Sequence, residues 1–233
     1  VGERLAIMDE HRIPYGIVTL DYGWLDYLGD HEPHPERFAD LPAFIDGLHA
    51  RGKHVLLWFA PFFCESGSRL ATEHPDWMIH NPDGSLNSHT WMKKTIYTPD
   101  FTHPDVRGYF TRLIGKLLGS GPGQWNADGF KIDGYSVLPG VDNVFHDPEW
   151  GTGDHFQYRA DKLIYDAAKA AKTDALVEQS FANPLFNDTQ DVCRLDDASS
   201  YDTDLYENRA WVALLAGVAL PDTDDWSAFK KMF

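Results

Sequence analysis

Basic residues are scarce in this chain. Its 233 residues include 20 Lys and Arg against 36 Asp and Glu, for a formal net charge of −16. A nucleic-acid-binding face needs clustered cations to displace phosphate counterions. Here the cations gather only in short pairs such as Lys93-Lys94 and Lys230-Lys231, so no nucleic-acid partner is expected. Cysteine is scarcer still. Cys64 and Cys193 lie in no CxxC motif and make no disulfide framework. Two unlinked thiols point to a reducing compartment, which favours the cytoplasm. No apolar run reaches membrane-spanning length, so no membrane partner is expected. There is no GxGxxG or Walker-type loop, and no internal repeat, so no cofactor is implied. His31 and His34 of "HEPHPER" sit in a proline-broken loop, not at the i, i+4 spacing of a helical metal site, and no metal is expected.

Aromatics are plentiful instead: 8 Trp, 10 Tyr and 14 Phe, within a chain that is 43% hydrophobic. That suffices for the core of one large domain. Rings of this kind serve as core or as platforms for flat, partly apolar ligands such as sugars.

Strand and helix patterns alternate. Strand candidates are 14–21, 53–61, 127–133, 174–180, 191–196 and 216–224. Helical apolar spacing marks 35–52, 104–119, 155–172 and 203–216, and the chain opens on a helix over 1–11. A long polar stretch, rich in Pro, His, Asp and Trp, runs from Phe62 to about Phe101. Six β/α units in this order predict a parallel sheet covered by helices. Acidic residues recur at strand C-terminal ends (Asp21, Asp133, Glu178, Asp196 and Asp224), where barrel enzymes collect catalytic groups. The expected fold is therefore α/β, a (β/α)8 TIM barrel. A full barrel needs eight strands, so residues 1–233 are expected to be one barrel domain covering about strands 2–7 of a larger protein.

The segment "ADGFKIDGYS" (127–136) places a cation and a carboxylate inside an apolar strand. Side chains alternate along a strand, so Lys131 and Asp133 share one face, while Phe130 and Ile132 take the other. Lys131 is expected to keep Asp133 ionised, and Gly129, on the same row, to leave room beneath them. Taken alone, such a pair reads as a structural ion pair before it reads as catalytic. A second carboxylate, in "CRLDDASSYD" (193–202), ends a strand two units later, and Asp196 would face Asp133 across the mouth. Two opposed carboxyl groups can perform glycoside hydrolysis, and their separation decides the stereochemical outcome. Glu178 is placed to bind sugar or to pair with Arg194, and both are candidate substrate-binding residues. "HPDW" (74–77) is either a flap over substrate or a turn with a core Trp.

The segments "LDYGW" (20–24), "PERFADLPAFIDGLHARGKHVLLWFAPF" (35–62), "SRLATEHPDW" (68–77), "DGFKID" (128–133) and "RLDDASSYD" (194–202) resemble, in one collinear order, glycoside hydrolase families 31 and 36. These are the clan D α-glycosidases, built on (β/α)8 barrels. The resemblance implies a retaining double displacement. Asp133 matches the nucleophile and Asp196 the general acid/base, with Asp197 taking that role if the register is one residue off. Lys131, Asp21, Trp24 and Trp58 match sugar-contacting positions. Asp224 resembles the Asp of the family 31 "G-x-D-I-G-G-F" segment, from which "DTDDWSAF" departs. Tyr22 stands where α-galactosidases of family 36 carry a second carboxylate, and "KIDGYS" departs from the "WxDMNE" of many family 31 enzymes. α-Galactosides are the expected substrates, ahead of α-glucosides or α-xylosides. A transglycosidase and a non-catalytic sugar-binding barrel are the alternatives. The implied partner is an oligosaccharide or glycoside, and an oligomer of the parent protein is compatible with the sequence.

Overall fold

The computed structural model describes residues 1–134, 138–181, 183–195, 203–215, 217 and 220–222. Six strands form one sheet: β1 (Ile17–Leu20), β2 (His54–Phe59), β6 (Gly129–Ile132), β7 (Leu176–Gln179), β8 (Val192–Arg194) and β9 (Leu220–Asp222). They lie side by side in chain order, every neighbouring pair parallel. Sequential parallel order with helices on one side is the wall of a (β/α)8 barrel. The helices are α1 (Gly2–Glu10), α2 (Leu41–His49), α3 (Arg69–Glu73), α4 (Pro104–Leu118), α5 (Asp154–Ala171) and α6 (Thr203–Leu215). Among the described residues no helix is long and apolar enough to cross a membrane.

Local chemistry sets the element ends. The expected 35–52 helix begins only at Leu41, because the Asp40 carboxylate caps it by accepting from the Ala43 amide at 2.9 Å, with Pro42 in the first turn. Leu41, Ile45 and Leu48 form its buried face. Helix α4 starts at Pro104 and buries Val106, Phe110, Leu113, Ile114 and Leu117. Phe110 lies edge-on to Phe59 of β2, which stacks on Phe130 of β6 at 4.6 Å. Phe59 and Phe130 thus mark the helix-facing side of the sheet, and Trp58 and Lys131, paired in register, mark the other.

The polar stretch after β2 is not one long loop. It folds into a small antiparallel sheet of β3 (Cys64–Glu65), β5 (Lys94–Tyr97) and β4 (Ser88–Trp91), with α3 between. Its strands are short and half exposed, so they lack the apolar alternation that would announce them.

Two aspartates tie the strand N-terminal ends. Asp128, just before β6, accepts from His49 Nε2 (2.7 Å), the Val55 amide (2.7 Å) and Lys172 Nζ (3.0 Å). Asp191, just before β8, accepts from Tyr165 Oη (3.0 Å), Lys169 Nζ (2.7 Å) and the Val177 amide (2.8 Å). Each reaches sideways to a neighbouring strand and is closed by a lysine from the end of α5.

Candidate active site

Register puts Trp58, Lys131 and Glu178 in one row across β2, β6 and β7, on the face away from α4. One step beyond this row, at the C-terminal end of β6, stands Asp133, whose amide donates to Phe59 O at 2.9 Å. Its carboxylate has three donors. Trp58 Nε1 meets Oδ2 at 3.0 Å, while the Gly134 amide (2.8 Å) and Arg194 Nη2 (3.3 Å) meet Oδ1. The side chain is 33% exposed, whereas that of Arg194 is 2% exposed. A buried guanidinium and two N–H groups therefore orient an oxygen pair that still opens outward. Gly134 makes this turn at φ 85°, and a Cβ there would press on Ala60 and Phe63 at 3.2 Å.

Two expectations change here. The cation on Asp133 is Arg194, not Lys131. Lys131 Nζ instead binds Asp21 Oδ2 at 2.9 Å, because Asp21 leaves β1 beside it and is the more exposed of the two, at 61% against 11%. Gly129 has a different reason from the one expected. At φ 153° its absent Cβ would fall 1.9 Å from Leu176 O, so the glycine permits close strand approach and does not leave a space below the pair.

Asp21 also caps the short turn Tyr22–Trp24, accepting from the Tyr22 amide at 2.7 Å. That turn directs Trp24 inward, where it packs in the core and also lines the cavity shared by Asp21 and Lys131. Trp24 is 1% exposed, packs edge-on against Trp125 and donates Nε1–H to Trp58 O at 2.8 Å. It fastens the end of β1 to the end of β2. Trp58 itself donates its indole N–H to Asp133. Glu178 is buried in the inward row. Asp21, Lys131 and Glu178 share a cavity of about 850 Å³ with Arg4, Arg37 and Phe44; Asp133 lies outside its walls. The acid/base candidates Asp196 and Asp197, and Asp224, lie outside the described residues.

Sequence reasoning missed the rings around Trp58. Trp91 of β4 stacks on it, and Tyr22 lies edge-on to both. The signal was Trp91 itself, a large ring within the polar run from Asn81 to Lys94. On the same strand, His89 packs on Phe63 at 5.1 Å with neither ring nitrogen hydrogen-bonded, and burial lowers its pKa. His31 and His34 do not converge: His31 is buried with Nδ1 on Gly29 O, and His34 Nδ1 accepts from the Glu36 amide. "HPDW" is a turn in which His74 stacks on Trp77 at 3.9 Å and Trp77 faces Tyr109.

Residues 1–182 match the profile of the Glycosyl hydrolases family 31 TIM-barrel domain, and the chain belongs to that family. Family 36 stands as a resemblance only. Among curated proteins, the A type blood alpha-D-galactosamine galactosaminidase of Flavonifractor plautii is 36% identical over 143 residues, which is 55% of this chain and 12% of that protein. Alpha-galactosidase AgaA of Geobacillus stearothermophilus is 27% identical over 117 residues, 46% of this chain and 15% of that one. The chain thus matches a small part of these relatives' length. A solved family 31 sulfoquinovosidase from E. rectale superposes with a TM-score of 0.77 over 95% of this chain and 35% of its own, at 17% identity. That likeness speaks to the fold.

Proposed function

We propose that this barrel carries out retaining exo-hydrolysis of terminal α-linked sugars, with α-galactosides as its substrates. The observation that carries the reading is Asp133, an oriented carboxylate opening outward from the C-terminal end of a barrel strand, braced by Trp58 and Arg194. In the first step an Asp133 oxygen attacks the anomeric carbon as the bond to the leaving oxygen breaks, giving a glycosyl ester. Asp196 protonates that leaving oxygen. In the second step Asp196 takes a proton from water, which attacks the anomeric carbon and releases the Asp133 carboxylate. The three donors on Asp133 suit both states of this cycle, since they orient the anion before attack and receive it on release. Asp21, Lys131 and Glu178 line the neighbouring cavity and supply acceptors and a donor for sugar hydroxyls.

The preference for galactosides is supported by the names of the two curated relatives above, both of which act on galacto-configured sugars. Initial rates on aryl α-galactoside, α-glucoside and α-xyloside test it. Highest kcat/KM on the galactoside is expected, and a clear preference for another sugar overturns the specificity. Binding without turnover of any of the three would favour the non-catalytic sugar-binding barrel. Product analysis with added sugar acceptors separates hydrolysis from transglycosylation.

A further inference from the structure

The inserted sheet and the barrel mouth share one set of rings. Trp91 of β4 lies 6.3 Å from the Trp58 ring, at 21° to it. Tyr22 wedges edge-on against both, at 5.0 Å and 5.4 Å, and Phe63 backs Trp91 at 5.5 Å. An indole has a single polar atom, its N–H donor. In Trp58 that donor is committed to Asp133 Oδ2. The plane of the ring, and so the aim of the N–H, is set by the rings that flank it.

Trp91 is itself held firmly. Met92 and Lys93 both have positive φ, 47° and 67°, as a two-residue type I′ hairpin turn requires. That turn fixes Trp91 opposite Lys94 in the β4–β5 ladder. Lys94 is anchored by Glu65 of β3 at 2.7 Å and approaches the Tyr22 ring at 5.9 Å. Ser88 and Thr90 face solvent, while His89 and Trp91 turn onto Phe63. A continuous set of contacts therefore leads from the tip of the inserted hairpin to the carboxylate of Asp133.

We propose that Trp91 is a positioning residue for Asp133, acting through the Trp58 indole, so that the inserted sheet sets the aim of the nucleophile. The inference rests on the reading of Asp133 as nucleophile. Misplacing a reacting group by about 1 Å can cost about 10²-fold in rate, and a loss of that kind falls on kcat more than on KM.

The test is steady-state kinetics of the intact enzyme on its best aryl α-glycoside, as a double-mutant cycle. Trp91→Ala is expected to lower kcat by about 30-fold with KM changed less than about 3-fold. Trp91→Phe, which keeps a flat ring against Trp58, should restore kcat to within about 3-fold of the parent enzyme. In a Trp58→Phe background, which lacks the N–H, Trp91→Ala should add less than about 3-fold. A raised KM with unchanged kcat would make Trp91 a sugar wall and overturn the proposal. So would equal losses in the two backgrounds. Should Trp91→Ala not fold, Trp91→Leu enters the same cycle under the same criteria. The nucleophile reading is checked separately by Asp133→Asn: full activity in that variant would remove the reading, whereas its inactivity leaves the cycle to decide the role of Trp91.

Discussion

Asp128 and Asp133 stand at opposite ends of β6, each accepting from three donors, and the two ends put their carboxylates to different use. Asp128 gathers groups from three elements that must stay together: His49 of α2, the Val55 amide of β2, and Lys172 just past α5. Asp133 takes donors from the neighbouring strand β2, from β8 two strands away and from its own turn, and it keeps a third of its surface open. At one end the donors satisfy a carboxylate that serves the fold. At the other they orient a carboxylate that a ligand can reach. In a parallel barrel the two ends of a strand are thereby divided between stability and chemistry.

The most severe way to test this division is to neutralise the open end. Asp133→Asn should lower kcat by at least about 10³-fold, equivalent to about 4 kcal/mol of transition-state stabilisation, while the thermal midpoint moves by only a degree or two. Added azide should return part of the rate on an activated aryl glycoside by replacing the missing nucleophile. Full activity without azide would end the assignment. Next in size is Arg194→Met, which leaves Asp133 with two donors. A loss of about 10²-fold in kcat/KM is expected, in line with removing one electrostatic partner at a reacting centre. If Arg194→Met costs stability and leaves kcat/KM alone, the guanidinium belongs with Asp128 on the structural side of the comparison.

Much of this arrangement could be read before any coordinates. Period-two alternation placed Lys131 and Asp133 on one face, and the register with Trp58 and Glu178 agrees. The apolar stripes of α2 and α4, and the run "HVLLWF", announced their elements because burial imposes a period on the sequence. Partner choice was not legible. Lys131 is close to Asp133 in sequence, yet Asp21 from another strand takes its ammonium and Arg194 from a third supplies the cation. Nor was the inserted sheet, whose strands bury little and whose hairpin turn uses Met92 and Lys93 in place of Asn-Gly. Asp128 was hidden differently. It reads as one more residue of a strand, and its value lies in which distant groups it meets. Trp24 shows a further use that was not legible: its N–H is committed to Trp58 O, while the residue also lines the cavity beside Asp21 and Lys131.

Acid stability has a separate source, a histidine buried between Phe59 and Phe110. Burial pushes the His31 imidazole down to about 4, against the small opposing effects of its bond to Gly29 and of Asp30. The unfolded chain takes up this proton near the ordinary value of 6.5, and the folded chain does not until about 4. Folding stability should therefore fall as pH drops from 6.5 towards 4, by up to about 3 kcal/mol. His31→Phe keeps a ring between Phe59 and Phe110 and has no proton to gain. Denaturant melts of the two proteins across that window should show the parent losing stability relative to the variant as the pH falls. Parallel curves would mean that His31 is not the acid-sensitive group.

The smallest effect expected is at the closed end itself. Asp128→Asn keeps the shape and removes the charge that His49 and Lys172 approach. Desolvation raises the pKa of Asp128, but the Val55 amide, His49 and Lys172 outweigh it and hold the carboxyl below its ordinary range. A group depressed in this way stabilises the fold above its unfolded pKa, and the contribution disappears as pH falls through the lower folded value. The variant should thus be less stable by about 1–2 kcal/mol at neutral pH, with the deficit shrinking below about pH 4, where the unfolded carboxyl also takes its proton. Its kcat, corrected for the folded fraction, should match that of the parent, because nothing at this end of β6 touches the mouth. A kcat deficit in the fully folded variant would show that the two ends of the strand are coupled, and the division of labour along β6 would fail.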